Sequence, residues 1–241
     1  IIVSSFFISV TALAADDIYA RYQYLLKNMS NEQSISQFIK QDNYLSDRLQ
    51  KKWLAYLAKH KRWQDYLDFY TATNNKTRKC HYLHALYSTD SKQLALKNVK
   101  KLWLSPYNSP KACNYIFKKW LAQQTNKRQL RWQRIELSIK NKQYKFAKKL
   151  SQQLSTSDRK LVYKWLKLNK KPHLLVKHQF KEHPYNNVII INVLKKLIVK
   201  NQQQAINYWN SIKNDYGFTN KQKQSLYQRL ALFSAMRDRD D

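Results

Sequence analysis

The side chains most able to do chemistry in this sequence are two cysteines and the histidines near the first of them. Cys80 and Cys113 are the only cysteines among the 241 residues, and His81 and His84 follow Cys80 closely. Two cysteines and two histidines could hold a zinc ion, but their spacing does not match a zinc motif. An even cysteine count in an exported chain favours a disulfide instead. The other histidines do not share a helix face and suggest no metal site: His60, His173, His178 and His183.

Carboxylate chemistry rests on only three glutamates, Glu32, Glu136 and Glu182. Glycosidic cleavage needs a carboxylic acid held in a cleft with a raised pKa. Glu32 lies at the start of a predicted helix, where a capping role is expected, and the other two lie in a helical stripe and in a loop. The lone Gly217 excludes a nucleophile elbow and a glycine-rich phosphate loop. We therefore expect no catalytic residue, no metal and no cofactor in this chain.

Helices must position these side chains, because apolar residues recur at helical spacing through most of the sequence. One stripe has residues four apart: Leu45, Leu49, Trp53 and Leu57. A polar break at residues 59–62 separates it from a second stripe that begins at Trp63. Two further pairs of stripes are interrupted at residues 141–143 and 201–204, and the second of these resumes with Ile206.

The pairing of these stripes predicts an all-α fold, a superhelical stack of short antiparallel helix pairs of the α-solenoid type. One glycine and four prolines are too few for an architecture with many tight hairpins. The β-branched run at residues 188–191 is predicted to be helical, because it lies inside a longer helical stripe and has no partner strand.

The first fifteen residues predict export. Residues 1–15 are apolar and end in small side chains, and Ala12 with Ala14 satisfies the cleavage rule of a secretory signal before Asp16. No methionine or basic segment precedes Ile1, so we expect this signal peptide to be incomplete. This segment is too short to span a bilayer of ~30 Å, and no other segment is apolar enough to form a transmembrane helix. We therefore expect no membrane span.

The charge of the chain is strongly positive. Forty-five lysines and arginines against fifteen acidic residues give a net charge of +30. This balance is typical of proteins that bind nucleic acids or anionic surfaces. The lysines are spread along the whole chain, as codon bias in an AT-rich genome would produce, so solvated helix faces are the preferred interpretation. Peptidoglycan, with its stem-peptide carboxylates, would also be attracted.

The aromatic content, with seven tryptophans and seventeen tyrosines, has two interpretations. Wide flat rings fill the gaps between stacked helices, and they can also form a row on which sugars stack. We prefer the first interpretation for most of them.

The most specific pattern in the sequence is LWLSPYNSPKACNYIFKKW at residues 102–120. It resembles the signature region of the superhelical U domain of soluble lytic murein transglycosylases, in which Leu-Trp-Leu precedes a polar link and Pro-x-Ala-Cys-x-x-x-Phe-x-x-Trp. The matching positions are Leu102, Trp103, Leu104, Pro110, Ala112, Cys113, Phe117 and Trp120. Residues 80–85 are similar to the family's Cys-x-Tyr-x-x-Ala segment, and the resemblance extends over about residues 16–132.

The resemblance implies a periplasmic protein of a Gram-negative bacterium. In this family a U-shaped helical stack joins a lysozyme-like catalytic domain, and glycan strands pass through the ring they form. The family cleaves the β-1,4 bond between N-acetylmuramic acid and N-acetylglucosamine, giving 1,6-anhydro products. The matching cysteines would be the family's disulfide. The catalytic domain's Glu-Ser, Gly-Leu-Met-Gln and Tyr-Asn-Ala-Gly segments have no counterpart here, so we expect residues 16–241 to be a truncated U domain without the catalytic domain.

Three functional hypotheses follow. The first is a scaffold that contacts peptidoglycan glycan strands and whose partner is the missing C-terminal catalytic domain. The second is a basic helical-repeat protein that binds nucleic acid, against which the export signal stands, so no nucleic-acid partner is expected. The third is a periplasmic protein-interaction solenoid with no glycan role.

Overall fold

The computed structural model describes residues 17–237, and every regular element among them is a helix. This confirms the predicted all-α fold. The predicted signal peptide at residues 1–15 lies outside the described residues. Within residues 17–237 none of the helices is both long enough and apolar enough to cross a membrane. The chain divides into two compact units, unit 1 (Ile1–Lys127) and unit 2 (Arg128–Asp241).

Unit 1 contains seven described helices, joined by short links: α1 (17–27), α2 (Glu32–Lys40), α3 (Ser46–Lys59), α4 (Trp63–Asp68), α5 (Lys76–Ser88), α6 (Lys92–Trp103) and α7 (Cys113–Ala122). From α2 to α7 each helix packs on the next one along the chain, and α7 packs on both α5 and α6. The predicted stripe faces the core, since Leu49, Trp53 and Leu57 are completely buried. Burial of each such side chain stabilises the fold by roughly 1.5–3 kcal/mol.

Unit 2 consists of six α-helices and one 3-10 helix: α8 (Lys127–Lys140), α9 (Tyr144–Ser151), α10 (Thr156–Lys170), the 3-10 helix Pro172–Lys177, α11 (Asn186–Lys200), α12 (Gln202–Ile212) and α13 (Asn220–Arg237). Its central element is α11, which packs on α10, on the 3-10 helix, on α12 and on α13. The β-branched run at residues 188–191 lies in α11, as predicted.

The predicted start of α12 needs a correction. The polar residues after Asn201 were expected to form a link, but Gln202 already begins the helix. The Asn201 side chain caps this helix by accepting a hydrogen bond from the Gln204 amide at 3.0 Å. Ile206 is only half-buried, and the buried face of α12 is formed by Ala205, Trp209 and Ile212.

Two of the polar elbows end a helix without glycine. Lys61 (φ 58°) and Lys142 (φ 59°) take the left-handed conformation that glycine usually supplies at a helix end. At the first elbow the Arg62 amide donates to the Leu57 carbonyl at 2.9 Å and the Lys61 amide to the Ala58 carbonyl at 3.3 Å. These are the two hydrogen bonds of a Schellman motif, which satisfy carbonyls that the helix itself leaves without partners.

Candidate functional site

Cys80 and Cys113 form a disulfide that links α5 to α7. Both are buried, and α6, which lies between them in sequence, packs on both helices. The bond occupies both thiols, so they cannot serve as zinc ligands while it is formed. The cysteines are 33 residues apart, and closing a loop of this length disfavours the unfolded chain by about 4 kcal/mol in the loop-entropy model.

The other predicted signature residues lie at the junction between α6 and α7. The Trp103 ring meets Phe117 edge to face at a centroid distance of 5.2 Å and lies 5.9 Å from the Trp120 ring. All three are at most 5% exposed. The remaining signature positions are half-buried: Leu102, Leu104, Pro110 and Ala112. This arrangement can hold two helices together, and it presents no group that could do chemistry.

His84 lies in a stack of rings that crosses three helices. Its ring centroid is 4.1 Å from that of Trp63 in α4 and 3.7 Å from that of Tyr115 in α7. Burial, followed by the charges of His81 and Lys61, lowers the pKa of His84 to about 4. Ring faces that contact one another are closed to a sugar, so this stack fits the interpretation of aromatics as fillers between helices. Within residues 17–237, His, Cys, Asp and Glu side chains form no group of three that could hold a metal ion.

The three glutamates lie in separate places. Glu32 accepts a hydrogen bond from the Arg62 guanidinium, and Glu136 forms an ion pair with Lys140, one turn later in α8, at 2.6 Å. Glu182 is exposed in the loop that follows the 3-10 helix. The structure therefore does not bring the glutamates together as a pair of glycosidic carboxylates.

Unit 2 contains a buried carboxylate that the sequence patterns did not predict. Asp158 is 1% exposed and accepts two hydrogen bonds from the Arg128 guanidinium, at 2.7 and 2.8 Å. The Nε2 atom of His183 lies 2.8 Å from Asp158 Oδ1. The hydrogen bonds from Arg128, which outweigh burial, lower the pKa of Asp158 to about 2. A carboxylate held ionised in this way cannot act as a glycosidic acid, and it instead fixes the loop that carries His183.

Only a local signal could have identified this carboxylate. Ser155 and Asp158 have the spacing of a capping box, and the Ser155 hydroxyl does accept a hydrogen bond from the Asp158 amide at 3.2 Å. Arg128 and His183 are 30 and 25 residues away from Asp158, and no sequence pattern connects them to it.

A cleft of about 860 Å³ opens beside this loop, and we call it the loop cleft. It is lined on one side by residues 176–180, Glu182, His183, Asn186 and Asn187, and on the other by Tyr208, Ile212 and residues 215–217. The Asn187 side-chain amide donates to the Gly217 carbonyl at 2.9 Å, which ties the two sides together. This volume is in the range of small-molecule sites, so the loop cleft is a candidate binding site.

The fold of this chain is similar to two solved bacterial enzymes. One is the 70-kDa soluble lytic transglycosylase of Escherichia coli, with a TM-score of 0.66 and 18% identity over 90% of this chain and 36% of that protein. The other is an inactive mutant of the lytic transglycosylase Slt of Pseudomonas aeruginosa, with a TM-score of 0.76 and 18% identity over 96% of this chain and 39% of that protein. At this level of identity the likeness establishes the fold.

The amino-acid sequence of the chain is also similar to that of a lytic transglycosylase. The soluble lytic murein transglycosylase of Salmonella typhimurium is 28% identical over 127 residues, which cover 51% of this chain and 20% of that protein. The chain is homologous to the N-terminal helical portion of soluble lytic transglycosylases. It spans about a fifth of the length of the transglycosylase that it matches in sequence. No protein-family model matches the chain.

The two kinds of likeness differ in extent. The residues match the Salmonella transglycosylase over about half of the chain, whereas the fold matches the solved transglycosylases over nine tenths or more of it. A fold match over nine tenths of the chain includes most of unit 2, so the transglycosylase-like helical fold extends beyond the half of the chain whose residues match.

Proposed function

We propose that this chain is the scaffold part of a periplasmic lytic murein transglycosylase and that its helices contact peptidoglycan glycan strands. The observation that carries the proposal is the homology to the helical portion of soluble lytic transglycosylases. The partner is a lysozyme-like catalytic domain. The complete enzyme cleaves the β-1,4 bonds between N-acetylmuramic acid and N-acetylglucosamine to 1,6-anhydro products in cell-wall turnover.

The location in the periplasm is supported by the disulfide. Structural disulfides form and persist in oxidising compartments such as the periplasm. The bond between Cys80 and Cys113 fits that environment. The apolar stretch at residues 1–15 fits the same location, as the signal peptide that directs export.

The scaffold role is supported by the state of the carboxylates. Glu32 and Glu136 are held in ion pairs, and Asp158 is kept ionised by Arg128. A glycosidic acid needs a raised pKa, whereas the pKa of Asp158 is lowered. We therefore assign bond cleavage to the partner domain and a packing role to the signature residues between Leu102 and Trp120.

Contact with peptidoglycan is supported by charge. A net charge of +30 attracts a polymer that carries stem-peptide carboxylates, and it does so without a dedicated site. Such attraction is screened by salt, with a Debye length of about 8 Å at physiological ionic strength. It therefore predicts retention on the cell wall that weakens as salt is raised.

Co-sedimentation with purified sacculi tests the proposal. The purified chain is expected to pellet with sacculi but not with neutral cross-linked dextran, to be released progressively by salt, and to release no anhydromuropeptides detectable by mass spectrometry. Failure to pellet at physiological salt would contradict the contact with peptidoglycan. Release of anhydromuropeptides by this chain alone would contradict the scaffold assignment, and tighter retention on duplex DNA than on sacculi would favour nucleic-acid binding instead.

A further inference from the structure

We infer that the loop cleft of unit 2 is a binding site for a neutral, N-acetylated saccharide. The inference rests on the proposed function for the source of the saccharide, a glycan strand, and it adds a defined site to the diffuse attraction of charge. Four properties of the cleft carry it: its charge, its rings, its amides and the way in which its walls are fixed.

The loop cleft is poor in positive charge although the chain is rich in it. Its lining contains one lysine, Lys177, against two carboxylates, Glu182 and Asp215. The whole chain carries three times as many basic as acidic side chains, 45 against 15. Sites for phosphate or nucleic acid depend on clusters of arginine and lysine, which this lining does not offer. A neutral ligand that donates hydrogen bonds to carboxylates, as sugar hydroxyls do, fits better.

A second groove in unit 2 shows that this depletion is local. The groove between α9 and α10 is lined by Tyr144, Tyr163 and Leu166 together with four lysines and no carboxylate. An anionic ligand would be directed there by charge and away from the loop cleft. The two grooves thus offer different chemistry on the same unit, and Tyr163 is a natural control position.

Three aromatic rings line the loop cleft: Phe180, Tyr208 and Tyr216. All three are half-buried, so part of each ring remains available for contact. The Tyr216 ring lies 5.7 Å from that of the buried Phe218, which holds it against the core. The axial C–H bonds of a pyranose pack well on such rings, while a phenol supplies a hydrogen-bonding end. Burial raises the pKa of Tyr208 to about 12, so its hydroxyl remains a donor at physiological pH.

Amide groups complete the match to an acetamido group. Asn186 is 3% exposed, and its Nδ2 donates to the Lys181 carbonyl at 2.7 Å, but its Oδ1 has no hydrogen-bond partner among the described residues. The Nε2 atom of His178 is also buried and also has no hydrogen-bond partner among the described residues. Buried polar atoms are nearly always satisfied, so two residues of the cleft wall hold a polar atom that lacks its usual partner. The apolar side chains of Val176 and Ile212, which share the lining, suit the acetamido methyl group.

The walls of the cleft are fixed before any ligand arrives. His183, in the lining, is held by the buried Asp158, and Asn187 bridges to Gly217 on the opposite side. Loops restrained in this way lose less conformational entropy on binding, which is the general advantage of a pre-formed site.

Titration of the full purified chain with chitotetraose, a tetramer of N-acetylglucosamine, tests the inference. Gly217 is the only glycine of the chain and lies in the lining, so its backbone amide gives one identifiable resonance in a ¹H–¹⁵N spectrum. Saturable binding that moves this resonance is expected. The Tyr216→Ala variant should weaken binding about tenfold, the effect of losing one aromatic contact, and the matched Tyr163→Ala variant should not change it. Circular dichroism and Tm verify that both variants fold.

Each other outcome has a fixed meaning. The inference would be overturned by any of three results: no saturable binding, binding that leaves the Gly217 resonance unmoved, or a folded Tyr216→Ala variant that binds chitotetraose as tightly as the unaltered chain. Equal affinity for cellotetraose, which lacks acetamido groups, would overturn its N-acetyl part. If Tyr216→Ala does not fold, the Gly217 resonance and the cellotetraose comparison decide. Retention on sacculi without chitotetraose binding overturns the site alone, whereas chitotetraose binding without retention on sacculi overturns the proposed function alone.

Discussion

The buried carboxylate of Asp158 gives the chain a stability that depends on acid pH. The ordinary pKa of this carboxyl group, 3.8, is lowered to about 2. Hydrogen bonds from Arg128 have the largest effect, and the hydrogen bond from His183 acts in the same direction. Burial opposes both by raising the pKa. The folded state therefore keeps the carboxylate charged at a pH at which the unfolded chain has bound a proton. The contribution to stability is complete above pH 3.8 and is lost as the pH falls through 2.

The size of this contribution follows from the pKa difference. Lowering the pKa from 3.8 to about 2 corresponds to about 2.5 kcal/mol at neutral pH. The Asp158 side chain is 1% exposed, so screening by solvent reduces this free energy only slightly. The Arg128 side chain is half-exposed, so water can hydrate it when the carboxylate is removed. We therefore expect the Asp158→Asn variant, which keeps the shape and removes the charge, to lose about 2–3 kcal/mol of unfolding free energy at pH 7. The loss should shrink towards zero near pH 2.

Urea unfolding of both proteins at pH 7, 4 and 2 measures this difference, and hydrogen exchange of peptides from residues 156–200 assigns it to unit 2. The control is Asp47→Asn, because Asp47 is 85% exposed and pairs with Lys51 at 3.8 Å, a contact worth little. A difference for Asp158→Asn below about 0.5 kcal/mol at pH 7, or one of the same size at pH 7 and pH 2, would refute the electrostatic explanation.

Three further predictions concern stability. Replacing Cys80 and Cys113 by serine should lower the unfolding free energy by about 4 kcal/mol in urea titrations, and a loss below about 1 kcal/mol would contradict the loop-entropy estimate. Lys61→Gly should raise the Tm by relieving about 1 kcal/mol of left-handed strain, whereas Lys97→Gly, inside α6, should lower it; the same sign for both would be inconsistent with this explanation. Because burial lowers the pKa of His84 to about 4, stability should fall as the pH drops from 6.5 to 4, and His84→Gln should flatten that slope.

Local sequence patterns predicted much of the helical framework. The stripe that contains Leu49 and Trp53 is fully buried, and the run at residues 188–191 is helical, because in both cases helical spacing and burial specify the same conformation. The start of α12 was predicted less well. Glutamines at the beginning of a helix resemble those of a link until the Asn201 cap is seen.

The loop cleft and the Asp158 cluster could not be predicted in this way. The cleft joins residues around 176–187 with residues around 208–217, and the cluster joins three segments that are far apart in sequence. Their proximity depends on how α10, α11 and α12 pack, which periodicity does not determine. His183 illustrates the limit, since the sequence indicated only that it belongs to no metal site, and not that a buried carboxylate holds its loop.

The disulfide also changes what a protease can achieve. It closes a covalent ring that contains α6 and the link at residues 104–112, where Tyr107 is 49% exposed. A single cut anywhere inside that ring leaves the N-terminal and C-terminal pieces joined through sulfur. Packing of α5 on α7 would then keep both pieces in place. In a compartment where proteases are present and thiols are oxidised, this part of the chain can be nicked once without separating the two pieces.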